Sequence, residues 1–174
     1  MGAVDDVIEA PLSAEALGAR FRELCNDPRF ANLPGKIELD VWGRLVMSPA
    51  SNFHSILQGR LQKRLGAMGG EAFPEASVLT TAGVLVADVA WGSDEFIRTH
   101  GTETPFTRAP EICVEVVSPS NSRKELEEKV QAYLAAGAVE AWIAFPKSKR
   151  VDVFGRTGQL RSTAYAVDLA GLFD

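Results

Sequence analysis

The apolar positions fall into short segments of two periods. Over residues 13–25, Leu17, Phe21 and Leu24 recur at helical spacing behind Ser13, which can cap the first turn, with Glu15 near the start. Residues 26–35 carry Pro28, Pro34 and Gly35 and read as a loop. Ile37, Leu39 and Val41 alternate with Glu38 and Asp40. Gly43 can then turn the chain and residues 45–47 can return, so a hairpin is expected. Ser48, Pro49 and Ser51 open a helix over 51–68. Its apolar stripe is Ile56, Leu57, Leu61, Leu65 and Met68, and Gly69 and Gly70 end it. Residues 78–81 and 84–91 read as strands, and 112–117 is a further apolar run. A helix over 122–136 ends at Gly137, and residues 141–145 and 151–154 read as two strands paired across 146–150. Residues 92–109 hold charge, glycine and Pro105 without a period. They are expected to form a long exposed loop, with 92–108 the candidate mobile segment beside the cleft or at a dimer contact. One sheet with helices packed on it follows, either α/β or α+β.

Composition narrows the class. A chain of 174 residues, 46% hydrophobic and 24% charged, fits one globular domain and excludes a disordered, collagen-like or coiled-coil whole. No uncharged apolar stretch approaches the roughly 18 residues a membrane span needs, so no membrane association is expected. The first ten residues carry Asp5, Asp6 and Glu9 and no basic residue, unlike a secretory signal. Cys25 and Cys113 have no metal-type spacing, so reduced thiols in a cytoplasmic protein are expected. The net charge of −5 does not suit a protein that coats nucleic acid, so DNA or RNA binding would need a local patch. Arg60, Lys63 and Arg64, Arg123 and Lys124, and Lys147, Lys149 and Arg150 form basic clusters, which in general are solvated faces. A phosphate-binding Walker loop, a Cys/His zinc set and a Gly-x-Ser-x-Gly elbow are all missing from the sequence.

Two acids lie inside apolar strands: Asp88 within 84–91 and Glu115 within 112–117. A buried, unpaired carboxylate costs several kcal/mol or shifts its pKa upward, so each needs a partner, a cleft or a metal, unless it lies on the solvent side of an edge strand. In the following helix, Ser122 and Glu125 fit a capping box. Glu125, Lys129 and Tyr133 follow at i,i+4 spacing on one face, which an ordinary amphipathic helix with a surface ion pair would also show. Two strand carboxylates and a lysine make a hydrolytic set. Hard cations such as Mg²⁺ take oxygen ligands, and a lysine can offset charge that grows in a transition state.

The stretch PEICVEVVSPS at 110–120, continuing through Lys129, Tyr133, Gly137, Glu140 and Trp142, resembles the Uma-type family, a branch of the PD-(D/E)XK nuclease superfamily. Glu38, Leu39, Gly43, Ser48, Pro49 and His54 match its upstream pattern, and the resemblance runs over about residues 13–174. It implies a restriction-endonuclease-like α/β core, a mixed central sheet flanked by helices, as a single domain over 13–174 behind an N-terminal arm, 1–12. It also implies an endonuclease that hydrolyses DNA with Mg²⁺, for which Mn²⁺ substitutes, acting as a homodimer. Asp88, Glu115 and Lys129 take the catalytic positions. Ala87 stands where the superfamily has proline, Val117 where it usually has its lysine, and Glu125 where the family often has aspartate. In such a site Asp88, Glu115 and the Val116 carbonyl would hold the metal. Glu38, His54, Ser118, Glu125 and Tyr133 form a second tier, with His54 equally readable as a capping or packing histidine. A catalytically weak or inactive nucleic-acid-binding or regulatory module on the same fold is the alternative.

Overall fold

The computed structural model describes residues 10–32 and 35–174. The missing-signal reading and most of the expected arm fall on residues 1–9, outside the described residues, as do two residues of the expected loop, 33 and 34. Just before the first helix, Leu12 donates its amide to the Val41 carbonyl at 2.8 Å.

Three serines start helices as their positions predict. Ser13 accepts the Ala16 amide and opens α1 (Ala14–Asn26), which buries Leu17 and Phe21. The hairpin β1 (Lys36–Leu39) and β2 (Leu45–Ser48) follows, so Val41 lies beyond the paired strand. Ser51 accepts the His54 amide and caps α2 (Asn52–Gly66), which buries Leu57, Leu61 and Leu65 while Ile56 of the expected stripe stays exposed. The antiparallel pair β3 (Glu71–Thr80) and β4 (Gly83–Gly92) crosses the middle of the sheet. Gly83 holds φ +113° at its turn, where a Cβ would collide with the Leu39 carbonyl. The missing side chain is what lets β4 start against β1.

Strand β5 (Ile112–Val116), helix α4 (Arg123–Ala135) and strand β6 (Glu140–Phe145) form a βαβ unit with parallel strands. Ser122 caps α4 by accepting the Glu125 amide. Strands β7 (Arg150–Gly155) and β8 (Gly158–Leu160) then add antiparallel, in the sheet order β2-β1-β4-β5-β6-β7-β8 with β3 on β4. This is the mixed α/β sheet flanked by helices, in one domain, that the family resemblance implies. Strands β4, β5 and β6 are buried almost throughout because both sheet faces are covered. Leu126, Val130 and Leu134 of α4 pack with Cys113 and Ile143 on one face. Leu57, Leu61 and Leu65 of α2 pack with Val114, Val116 and Trp142 on the other.

Two expectations need correction. Strand β3 begins at Glu71 rather than residue 78, because Pro74 and Glu75 interrupt the alternation without ending the pairing. Residues 92–109 are not a long exposed loop. Ser93 caps a seven-residue helix, α3 (Asp94–His100), whose Phe96 stacks edge-on against Phe106 at 5.4 Å, both buried. The segment is short, and its two core aromatics lie ten residues apart, so no period shows.

The Glu-x-Trp motif has a structural task. Buried Glu140 accepts from Trp142 Nε1 at 2.7 Å, the Thr163 hydroxyl at 2.7 Å and the Ala164 amide at 2.8 Å. It thereby ties the C-terminal segment to the sheet. Arg60 and Arg64 of the first basic cluster donate to the Leu172 and Asp168 carbonyls of the same segment. Glu140→Ala should leave three donors unmatched and cost about 3 kcal/mol. The readouts are a lower melting temperature and faster limited proteolysis beyond residue 160.

Candidate active site

The site grows from a gap in the sheet. Strand β3 lines one edge of β4 along its length. The other edge is shared: β1 meets it at Leu39↔Val84 and β5 at Val89↔Val114 through Trp91↔Ile112. Between these contacts, residues 85–88 have no strand partner on that side, and side chains satisfy the backbone instead. Glu38 Oε1 accepts the Val86 amide at 2.8 Å, Lys36 Nζ donates to the Val86 carbonyl at 2.8 Å, and Gln58 Nε2 donates to the Asp88 carbonyl at 3.1 Å. Lys36 and Glu38 stand two apart on β1 and so point to one side. β4 also twists here: Leu85 and Ala87 pack in one layer, whereas Val89 and Trp91, of the same parity, pack in the other. Between Pro74 and Ala76, which pair with Val89 and Ala87, Glu75 takes φ +54°, a left-handed conformation rare outside glycine.

Asp88 and Glu115 converge on a single cation. Lys36 Nζ donates to Asp88 Oδ1 and to Glu115 Oε2, each at 3.0 Å. The second Asp88 oxygen accepts the Val116 amide at 2.7 Å, and the second Glu115 oxygen accepts the Tyr133 hydroxyl at 2.7 Å. His54 Nε2 lies 3.3 Å from Asp88 Oδ1. Lys129 Nζ, reaching in from α4, is clamped by both oxygens of Glu38 at 2.8 and 2.9 Å and sits 3.7 Å from Glu115 Oε2. Three buried carboxylates, buried Lys129 and partly buried Lys36 thus form one network.

This packing splits the two strand acids. Burial alone would raise the Asp88 carboxyl, but the His54 hydrogen bond, the Lys36 charge and the Val116 amide together hold it below the usual range. Burial dominates at Glu115 and, with the neighbouring Asp88 charge, outweighs Lys36 and Lys129, so this carboxyl is raised. Burial also opposes the charged form of Lys36, but Glu115, Asp88 and Glu38 more than offset it and keep the ammonium protonated. Tyr133, buried beside Glu115, is raised and stays a phenol that donates. Carboxylates pushed in opposite directions mark a candidate chemical site.

The structure brings Asp88, Glu115 and Lys129 together, with Glu38, His54 and Tyr133 beside them. A cavity of about 310 Å³ opens over the pair, lined by Lys36, His54, Gln58, Asp88, Glu115 and Val116 among others, with Ser118 and Asn121 at its rim. Ser118 is held there by Asn121 Oδ1, which accepts its amide and its hydroxyl at 2.9 Å each. Glu125 stays at the start of α4 and does not line this cavity. The surface pair expected between Glu125 and Lys129 gives way to the buried Lys129–Glu38 pair, while the exposed face of α4 pairs Arg123 with Glu127 and Lys124 with Glu128. Residues 92–108 do not line the cavity either. Sequence reasoning missed Lys36 and Gln58. The signals for them were local: Lys36 is two residues before Glu38 on a strand, and Gln58 is one helical turn after His54.

The mixed sheet flanked by helices is the restriction-endonuclease-like class of fold. The chain belongs to the Uma2 family, described as "Putative restriction endonuclease", whose match spans residues 19–171. A solved structure from Anabaena variabilis, described as "a putative nuclease belonging to DUF820", shares the fold. The TM-score is 0.59 at 20% identity over 72% of this chain and 76% of the other. No curated protein matches the chain. Among the described residues no helix is long and apolar enough to cross a membrane.

Proposed function

We propose that the chain is a divalent-metal-dependent endonuclease that hydrolyses phosphodiester bonds in DNA. The observation that carries this reading is the convergence of Asp88 Oδ1 and Glu115 Oε2 on one cation at 3.0 Å each. Among the described residues no three His, Cys, Asp or Glu side chains gather as a metal cluster. The fit is therefore to an ion that accepts one or two carboxylates and keeps its waters, as Mg²⁺ does, rather than to a closed zinc-type cage. Asp88 and Glu115 would hold Mg²⁺, or Mn²⁺ in its place, with the Val116 carbonyl as a further oxygen. When bound, the ion would supply Lewis-acid stabilisation of phosphoryl oxygens and a more acidic water.

The protein's own groups prepare this position. The Val116 amide and the Tyr133 hydroxyl each take one carboxylate oxygen, which fixes the rotamers and leaves the other oxygen facing the cation. Glu38 holds Lys129 still, with its charge beside Glu115, where it can offset negative charge that grows on a phosphate. His54 Nδ1 is buried without a hydrogen-bond partner. Buried orphans are rare, and a substrate or water completing the site would satisfy this one.

Incubation of supercoiled plasmid with the purified protein tests this reading. Nicked and linear forms should accumulate in Mg²⁺ or Mn²⁺ and not in EDTA. Cleavage that persists in EDTA, or no cleavage of duplex or single-stranded DNA in either metal, would overturn it. DNA binding without cleavage would favour the module reading instead.

A further inference from the structure

We propose that Lys36 is a tethered counter-ion, which occupies the cation position between Asp88 and Glu115 in the metal-free protein and is exchanged for the divalent ion. The proposal rests on the metal-site reading above and concerns the side chain that competes for it.

Geometry comes first. Lys36 Nζ donates to Asp88 Oδ1 at 3.0 Å, Glu115 Oε2 at 3.0 Å and the Val86 carbonyl at 2.8 Å. Those three bonds use all the ammonium protons. The carboxylate oxygens engaged are the ones left free by Val116 and Tyr133, so ammonium and metal need the same atoms. Two cations cannot share them, since like charges this close in a buried site repel strongly.

Charge gives the exchange a direction. Counted as ionised, Glu38, Asp88 and Glu115 contribute −3 and Lys36 and Lys129 contribute +2, leaving −1 in the cluster beside a neutral His54. Removing the Lys36 ammonium leaves −2, which one divalent ion neutralises. Lys36 thus keeps the two carboxylates from repelling one another, at the expense of metal affinity.

The two lysines differ in freedom. Lys129 is clamped by both Glu38 oxygens and does not line the cavity. Lys36 does line it, and its flexible four-carbon stem lets the ammonium swing into that space. After exchange, a positive charge stands in the cavity where a phosphate would enter.

Calorimetric titration with Mn²⁺ alone, on wild type and Lys36→Met, tests the exchange. The variant should bind about tenfold more tightly or better, because the competing conformer is gone. Without metal it should melt below wild type, and Mn²⁺ should raise its melting temperature more than that of wild type. A second measurement needs no variant. In ¹⁵N-lysine-labelled protein the buried Lys36 ammonium resonance should disappear on adding Mg²⁺ while that of Lys129 persists. Equal or weaker Mn²⁺ binding by Lys36→Met, or a Lys36 resonance that survives Mg²⁺ saturation, would overturn the exchange and leave the metal site standing. Failure of both proteins to bind Mn²⁺ would overturn the metal reading and the exchange together.

Discussion

Asp88→Asn should lower metal-dependent DNA cleavage at least about 10²–10³-fold, the range seen when one preorganised electrostatic group is lost. The substitution keeps the shape and removes the charge that would face the ion. It also meets a hydrogen-bond conflict. Asp88 Oδ1 accepts from Lys36 and Oδ2 accepts from the Val116 amide, so both oxygens face donors. An asparagine has one oxygen, and whichever way its amide turns, its NH₂ points at a donor. That unmatched donor costs about 1–3 kcal/mol. Part is recovered because Glu115 loses a like-charged neighbour that helps raise its carboxyl. The expected protein is therefore folded, with a melting temperature a few degrees lower, and inactive. Circular dichroism and plasmid cleavage in Mg²⁺ on one preparation check this. A folded Asp88→Asn protein that cuts at the wild-type rate would remove Asp88 from the chemistry.

Much of this arrangement is legible in the sequence, for reasons that differ by residue. The caps Ser13, Ser51 and Ser122 are local devices: a hydroxyl ahead of a periodic run meets the amide three residues on, whatever the tertiary context. Asp88 and Glu115 stand out because a carboxylate in an apolar strand violates the composition of its own segment. Lys129 and Tyr133 share a helical face, and both turn inward. The misses share one cause, dependence on partners distant in sequence. Lys36 looks like any lysine ahead of a strand until Glu115, 79 residues away, is placed beside it. Glu38, expected in the second tier of the site, is not among the misses: although it alternates with Ile37, Leu39 and Val41, its face is covered too, so it is buried at 3% exposure and paired. Helix α3 contributes one buried side chain, Phe96, which packs on Phe106, itself in ring contact with Phe73, so no single segment announces it.

Glu38→Ala should be the most destabilising single change in the site, costing about 3–5 kcal/mol, because removing one partner of a buried ion pair strands the other. Lys129 Nζ would lose both of its close acceptors and keep only Glu115 at 3.7 Å. The Val86 amide would lose its acceptor as well, in the gap where no strand can replace it. For a domain of this length about 1 kcal/mol corresponds to roughly 2–4 °C, so the melting temperature should fall by about 10 °C. Glu38→Gln separates the two losses: its carbonyl oxygen can still accept from Val86 while the charge is gone, so it should lie between wild type and Glu38→Ala. Adding Lys129→Met to Glu38→Ala removes the stranded ammonium. The double variant should then be more stable than the sum of the two single changes predicts, with a coupling of about 1–3 kcal/mol. Additive losses would mean that Glu38 and Lys129 are not energetically paired. The effect on cleavage distinguishes holding from chemistry. Glu38→Gln leaves the Lys129 ammonium in place but loosely held, so its cleavage rate should fall far less than that of Asp88→Asn. Lys129→Met, which takes the charge from beside Glu115, should approach the Asp88→Asn loss.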